Sequence, residues 1–141
     1  MPHKRHIIAA LLLICAGPAP AAETLEQGFE VMRYARGLSE PVALEFDPDG
    51  RLFIAEKGGA VRIAIRGEVR PEPVVQVQVH EFFECGVLGM ALDPNYRETP
   101  YLYLFATVSP DEQQIIRYRI VEGFGVEPTV LRDHIPTGGT V

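Results

Sequence analysis

The sequence predicts an all-β chain made of about two blades of a larger β-propeller. Three observations predict it. From Gly28 onward apolar residues recur with period two and show no helical periodicity. Two short runs are apolar on both faces, as inner strands covered on both sides would be. A strand, Asp-Pro turn, inner strand pattern occurs twice at a spacing in the 40s, the length of a unit holding several strands.

In the first copy, Ala43-Leu44-Glu45-Phe46-Asp47-Pro48-Asp49 leads into the doubly apolar run Leu52-Phe53-Ile54-Ala55. After the Gly58-Gly59 turn, Val61, Ile63 and Ile65 alternate with Arg62, Ala64 and Arg66, placing apolar groups on one sheet face. Val75, Val77 and Val79, alternating with Gln76 and Gln78, predict a further strand. In the second copy, Gly89-Met90-Ala91-Leu92-Asp93-Pro94-Asn95 leads into Tyr101-Leu102-Tyr103-Leu104-Phe105. A Ser109-Pro110-Asp111 turn follows, and then Ile116, Tyr118 and Ile120 alternate with Arg117 and Arg119 on what reads as an outer strand with a solvated arginine face. Asp47-Pro48 and Asp93-Pro94 lie 46 positions apart (93 − 47). Two copies cannot close a ring of at least four blades. Residues 23–141 are therefore expected to be the N-terminal part of a longer propeller, and Gly138-Gly139-Thr140-Val141 stops without a closing strand.

Residues 1–22 read as a secretory signal peptide outside the fold. Lys4 and Arg5 form a basic start, Ile7 to Ala16 is an unbroken apolar run, and Ala19-Pro20-Ala21 supplies small residues for cleavage. That run is short of the roughly 20 residues a membrane helix needs, so the expected location is the periplasm or the medium, with no membrane span after cleavage. Cleavage leaves a single cysteine, Cys85.

Composition narrows the function classes. The chain is 47% hydrophobic and 23% charged, with a net charge of −6. That is a globular balance, and it argues against a nucleic-acid binder, which would cluster Lys and Arg. No His/Cys spacing suits zinc. With Ser39 and Ser109 the only serines, a Gly-x-Ser-x-Gly nucleophile turn is excluded. Asp47-Pro48-Asp49-Gly50 resembles the start of a calcium loop, but Pro48 and the early Gly50 make it a hairpin turn. His80 and His134 read as surface or capping residues. Tyr101, Tyr103 and Phe105 read as core strand residues.

Three segments carry a family resemblance. The stretch from Gly37 to Glu56, with Glu40-Pro41-Val42-Ala43-Leu44-Glu45-Phe46-Asp47-Pro48-Asp49-Gly50, resembles the opening blade of the glucose/sorbosone dehydrogenase family. Glu84-Cys85-Gly86-Val87-Leu88-Gly89-Met90-Ala91-Leu92-Asp93-Pro94-Asn95-Tyr96 is similar to that family's next landmark. Ile135-Pro136-Thr137-Gly138-Gly139 resembles the segment before its active-site histidine.

The resemblance implies a six-bladed propeller binding pyrroloquinoline quinone (PQQ) beside a calcium ion. A histidine would take the proton of the anomeric hydroxyl while the quinone takes the hydride, with calcium as Lewis acid. The sugar would become a lactone, with electrons passed to an external acceptor. That histidine is expected beyond Val141, and the calcium ligands and PQQ-binding cations in later blades, so this stretch alone is expected to be inactive and to hold no metal ligand. Only Glu84 maps onto a family position beside cofactor and substrate. For Glu84 two readings stay open, a cofactor-side acceptor and a solvated loop carboxylate. Cys85 stands where the family carries a small or amide residue, and reads as a buried small apolar residue or as half of a disulfide with a later cysteine. Two other functions compete: a non-catalytic propeller binding a protein ligand, as in the hedgehog-interacting relatives, and a calcium-dependent lactonase-type propeller.

Overall fold

The computed structural model describes residues 28–138. The signal-peptide reading of residues 1–22, the two residues before Val141, and Val141 itself lie outside them. The chain divides into two units, Met1–Met32 and Arg33–Val141. Of the first, the described residues 28–32 carry no strand. The second holds the fold.

Nine strands and no helix occur among the described residues: β1 (Pro41–Phe46), β2 (Leu52–Glu56), β3 (Ala60–Ile65), β4 (Glu68–Val69), β5 (Val75–Gln76), β6 (Val87–Leu92), β7 (Tyr101–Ser109), β8 (Glu112–Val121) and β9 (Phe124–Pro136). They form two antiparallel meanders, β1-β2-β3-β4 with β5 also on β3, and β6-β7-β8-β9. Each is one blade, so the all-β reading and its division at the repeat both hold. The repeat extends to backbone detail. The β1–β2 register slips between Pro41 and Ala43, and the β6–β7 register slips between Val87 and Gly89. Both limits of the slip are thus displaced by the same 46 positions as the Asp-Pro turns.

The two Asp-Pro turns are built alike. The Asp47 carboxylate accepts from the backbone N–H of Asp49 (3.0 Å) and Arg51 (2.9 Å). The Asp93 carboxylate accepts from the Asn95 N–H (2.9 Å), the Thr99 hydroxyl (2.7 Å) and the Tyr103 hydroxyl (2.9 Å). A short side-chain acceptor folding back on its own turn is why Asp recurs there. The third and fourth strands of each blade join through Arg66-Gly67 and Glu122-Gly123, all four residues at positive φ, as a two-residue hairpin turn requires.

The main core lies between the blades. Phe53, Val61 and Ile63 of the first pack with Val87, Leu102 and Leu104 of the second, all at most 1% exposed. The Tyr96 ring meets Phe53 edge to face at 5.9 Å. β2 is buried along its whole length because it serves two cores in alternation. Phe53 and Ala55 enter the main one, while Leu52 and Ile54 join Ala64 in a second, flanked by Ala35 and Leu38. Beside the second lies an apolar groove of about 480 Å³ lined by Tyr34, Leu38, Leu44 and Ile54 among others. Leu44 and Phe46 pair with Ile54 and Leu52 on that face and stand more than half exposed.

Four sequence expectations are corrected. β7 is fully covered on one face only: Leu102, Leu104 and Ala106 are buried, whereas Tyr101, Tyr103 and Phe105 are half-buried. Polar partners hold the two tyrosines on that face, since Arg117 lies over the Tyr101 ring at 4.4 Å and Tyr103 donates to Asp93. β8 is not outermost, because β9 flanks it. Accordingly Arg117 and Arg119 are half-buried rather than fully solvated, and Arg119 makes a two-pronged pair with Glu127 on β9 (2.9 and 2.6 Å). Finally, the Val75–Val79 alternation gives only the two-residue strand β5. Pro71 and Pro73, which lack N–H groups, interrupt the blade's outer strand into β4 and β5. The alternation in burial survives, with Val75 and Val77 buried and Gln76 and Gln78 exposed.

Candidate functional site

The meander topology sorts the connections to two ends of the blades. The Asp-Pro turns and the two tight hairpins share one end. The β2–β3 turn, the β7–β8 turn and the long connection from β5 to β6, residues 77–86, share the other. Glu84 sits in that connection.

The connection is irregular yet held at both ends. The Val77 N–H donates to the Gly59 carbonyl and the His80 N–H to the Thr107 carbonyl, both at 2.9 Å. The Cys85 N–H closes a tight turn onto the Phe82 carbonyl at 2.8 Å. The Thr107 N–H donates to the Gly86 carbonyl (2.9 Å), and the Val87 N–H to the Lys57 carbonyl (2.8 Å). Gly86 makes this docking possible. Its φ is +122°, and a Cβ there would fall 2.5 Å from the Lys57 carbonyl oxygen. Cys85 is 5% exposed, so its small side chain forms an apolar plug beneath the loop.

Above that plug the side chains are open. Glu84 is exposed and its carboxylate takes no hydrogen bond from any described residue. The Glu81 carboxylate lies over Gly58, where a Cβ would meet its Oε2 at 3.3 Å. Phe82 and Phe83 stand exposed between the two acids. His80 is half-buried with its ring tilted against Phe82, and His134 is exposed on β9 with its N–H on the Glu112 carboxylate at 3.2 Å. Neither histidine stands in a metal-ligating group among the described residues. Sequence reasoning named Glu84 and noted the aromatic pair beside it. It missed that both rings face outward, because paired phenylalanines ordinarily enter a core.

These residues can accept hydrogen bonds from a polyhydroxylated ligand. They do not fit the carboxylates of PQQ, because this end carries Glu81, Glu84, Asp111 and Glu112 against Lys57. Nor do they fit calcium, since no group of three or more His, Cys, Asp or Glu among the described residues could hold a metal ion.

Two successive antiparallel meanders with an open acidic loop between them define the class, a β-propeller segment. The chain belongs to the glucose/sorbosone dehydrogenase family, whose profile matches residues 38–128. A glucose dehydrogenase-type oxidoreductase from Thermus thermophilus superposes with a TM-score of 0.70 at 35% identity, over 77% of this chain and 33% of that one. The PQQ-bound aldose sugar dehydrogenase of Streptomyces coelicolor superposes with a TM-score of 0.69 at 25% identity, over 77% of this chain and 34% of that one. Human hedgehog-interacting protein is 34% identical over 96 residues, 62% of this chain and 14% of that protein. The chain thus spans about a third of the solved structures it matches and a smaller share of the human relative.

Proposed function

We propose that this chain forms part of an exported sugar dehydrogenase that oxidises an aldose-type sugar at its anomeric carbon with PQQ and passes the electrons to an external acceptor. The observation that carries it is Glu84. It is an unpartnered carboxylate presented on a pinned loop, in a chain whose family and solved neighbours are glucose and aldose dehydrogenases. Glu84 accepts a hydrogen bond from a sugar hydroxyl and so orients the ring. The hydride chemistry belongs to the cofactor. Calcium, the cations for the PQQ carboxylates and the general base come from the remaining length of the protein.

The test is sugar-dependent reduction of a dye by the full-length protein with PQQ and calcium in excess. Failure to reduce dye with any aldose would refute the reading. Export is tested separately by sequencing the mature N-terminus, expected at Ala22 or Glu23. A cytoplasmic product retaining Met1 would contradict it.

The similarity to hedgehog-interacting protein supports a second reading, a propeller that binds a protein ligand. PQQ-dependent turnover separates the two.

A further inference from the structure

We propose that His80, Phe82 and Phe83 form a stacking platform for the apolar face of the substrate's sugar ring, beside Glu84. The inference rests on the sugar-dehydrogenase reading and names residues of that site which the family resemblance does not supply.

The first observation is exposure. Phe83 is 76% and Phe82 46% exposed, adjacent in space as well as in sequence. Their rings meet edge to face with centroids 4.5 Å apart, and the His80 ring lies 6.2 Å from Phe82. Three contiguous rings on one loop make an apolar surface of the kind that marks a binding site rather than scatter.

The second observation is support. Phe83 has φ +46°, a left-handed conformation that bulky residues rarely adopt and that concentrates at functional sites. It holds that conformation because the Cys85 N–H locks the turn onto the Phe82 carbonyl. The buried Cys85, and the bonds from His80 to Thr107 and from Val87 to Lys57, fix the loop's base. The rings are displayed on a loop pinned by backbone bonds at its base, which lowers the ordering cost of binding.

The third observation is charge. Glu81 and Glu84 flank the pair. A pyranose presents a flat C–H face and a rim of hydroxyl donors, which matches an aromatic surface bordered by carboxylate acceptors. The same carboxylates repel a polyanion, so the platform suits the neutral sugar and not the quinone cofactor or a phosphorylated ligand.

The experiment uses the full-length protein with two substitutions. Phe83→Ala spares the core, because the ring is exposed. It is expected to raise KM for an aldopyranose about three- to tenfold with kcat little changed, the size of a lost aromatic contact. Phe83→Trp introduces a tryptophan into a stretch that has none. Its emission is expected to respond saturably to the aldopyranose without PQQ, and weakly to the acyclic polyol sorbitol, which lacks a flat face. Unchanged KM in Phe83→Ala, a silent tryptophan, or an equal response to sorbitol overturns the platform. Failure of the unaltered protein to oxidise any sugar defeats the dehydrogenase reading instead, and the tryptophan titration still decides whether a sugar stacks there.

Discussion

The Tyr103 hydroxyl donates to Oδ2 of Asp93 at 2.9 Å, tying the second Asp-Pro turn to the third residue of the strand that follows it. The same carboxylate accepts from Thr99 and from the Asn95 N–H. These bonds, that of Thr99 foremost, hold the Asp93 carboxyl below its ordinary range, while the bond to Asp93 raises the Tyr103 hydroxyl.

Asp93→Asn is expected to lower the Tm at pH 7 and to reduce the loss of stability on acidification. A carboxylate whose pKa is depressed by folding contributes its stability above its unfolded value of about 3.9. That contribution is lost as pH falls through the folded value. Glu112 and Glu127, also held low, titrate in both proteins, so the difference isolates Asp93. Parallel Tm curves from pH 7 to pH 2 would show that Asp93 carries no such linkage.

Gly86→Ala is expected to destabilise by about 1–3 kcal/mol, through the left-handed backbone and the collision with the Lys57 carbonyl. Gly89→Ala, whose Cβ would meet nothing within 4 Å, is expected to stay within about 0.5 kcal/mol. Urea midpoints of the two variants make the comparison, and equal midpoints would contradict it.

Much of this was legible in the residues. Val61/Ile63 and Ile116/Tyr118/Ile120 announce their strands because one face of each is buried. The two Asp-Pro turns are legible because the aspartate itself builds the turn. β9 was not legible, for a physical reason. Residues 127–134 of that strand are all exposed, and Pro128 and three register slips against β8 leave no period to read. At the candidate site, sequence pointed to Glu84 through family likeness, and its exposure is observed. The outward turn of Phe83 depends on the Cys85–Phe82 backbone bond, which no side-chain pattern encodes.

Glu84→Gln is expected to leave sugar oxidation by the full-length protein nearly intact, since size and acceptor oxygen are kept. Glu84→Ala is expected to lower turnover or raise KM for the sugar by roughly tenfold or more, the cost of a hydrogen bond to a charged group. Folding should be unaffected in both, as Glu84 is exposed and holds no other residue. Steady-state kinetics with PQQ and calcium in excess would measure it, and unchanged constants in Glu84→Ala would make the residue a solvated loop carboxylate.

Residues 23–141 produced alone are expected to be β-rich but to associate. Leu44 and Phe46 stand 65% and 59% exposed beside the apolar groove, and contiguous patches of this kind drive self-association. Sedimentation should show oligomers that shrink when Leu44 and Phe46 are both replaced by Lys. A soluble monomer with one sharp thermal transition in the unaltered chain would contradict the expectation.

The broken outer strand of the first blade also bears on recruitment by foreign chains. A free sheet edge is a template on which another strand can grow. Along the rim of β3, Pro71 and Pro73 remove two donors between β4 and β5, so an incoming strand finds no continuous ladder. The rim of β9 is thirteen residues long and exposes Val130 and Leu131. It is interrupted instead by Pro128, by the positive φ of Glu127 and His134, and by the charges of Arg132 and Asp133. Each rim thus breaks the template within a few residues, by proline alone on the first blade and by proline, positive-φ backbone and charge on the second, which leaves an incoming strand no long register to follow.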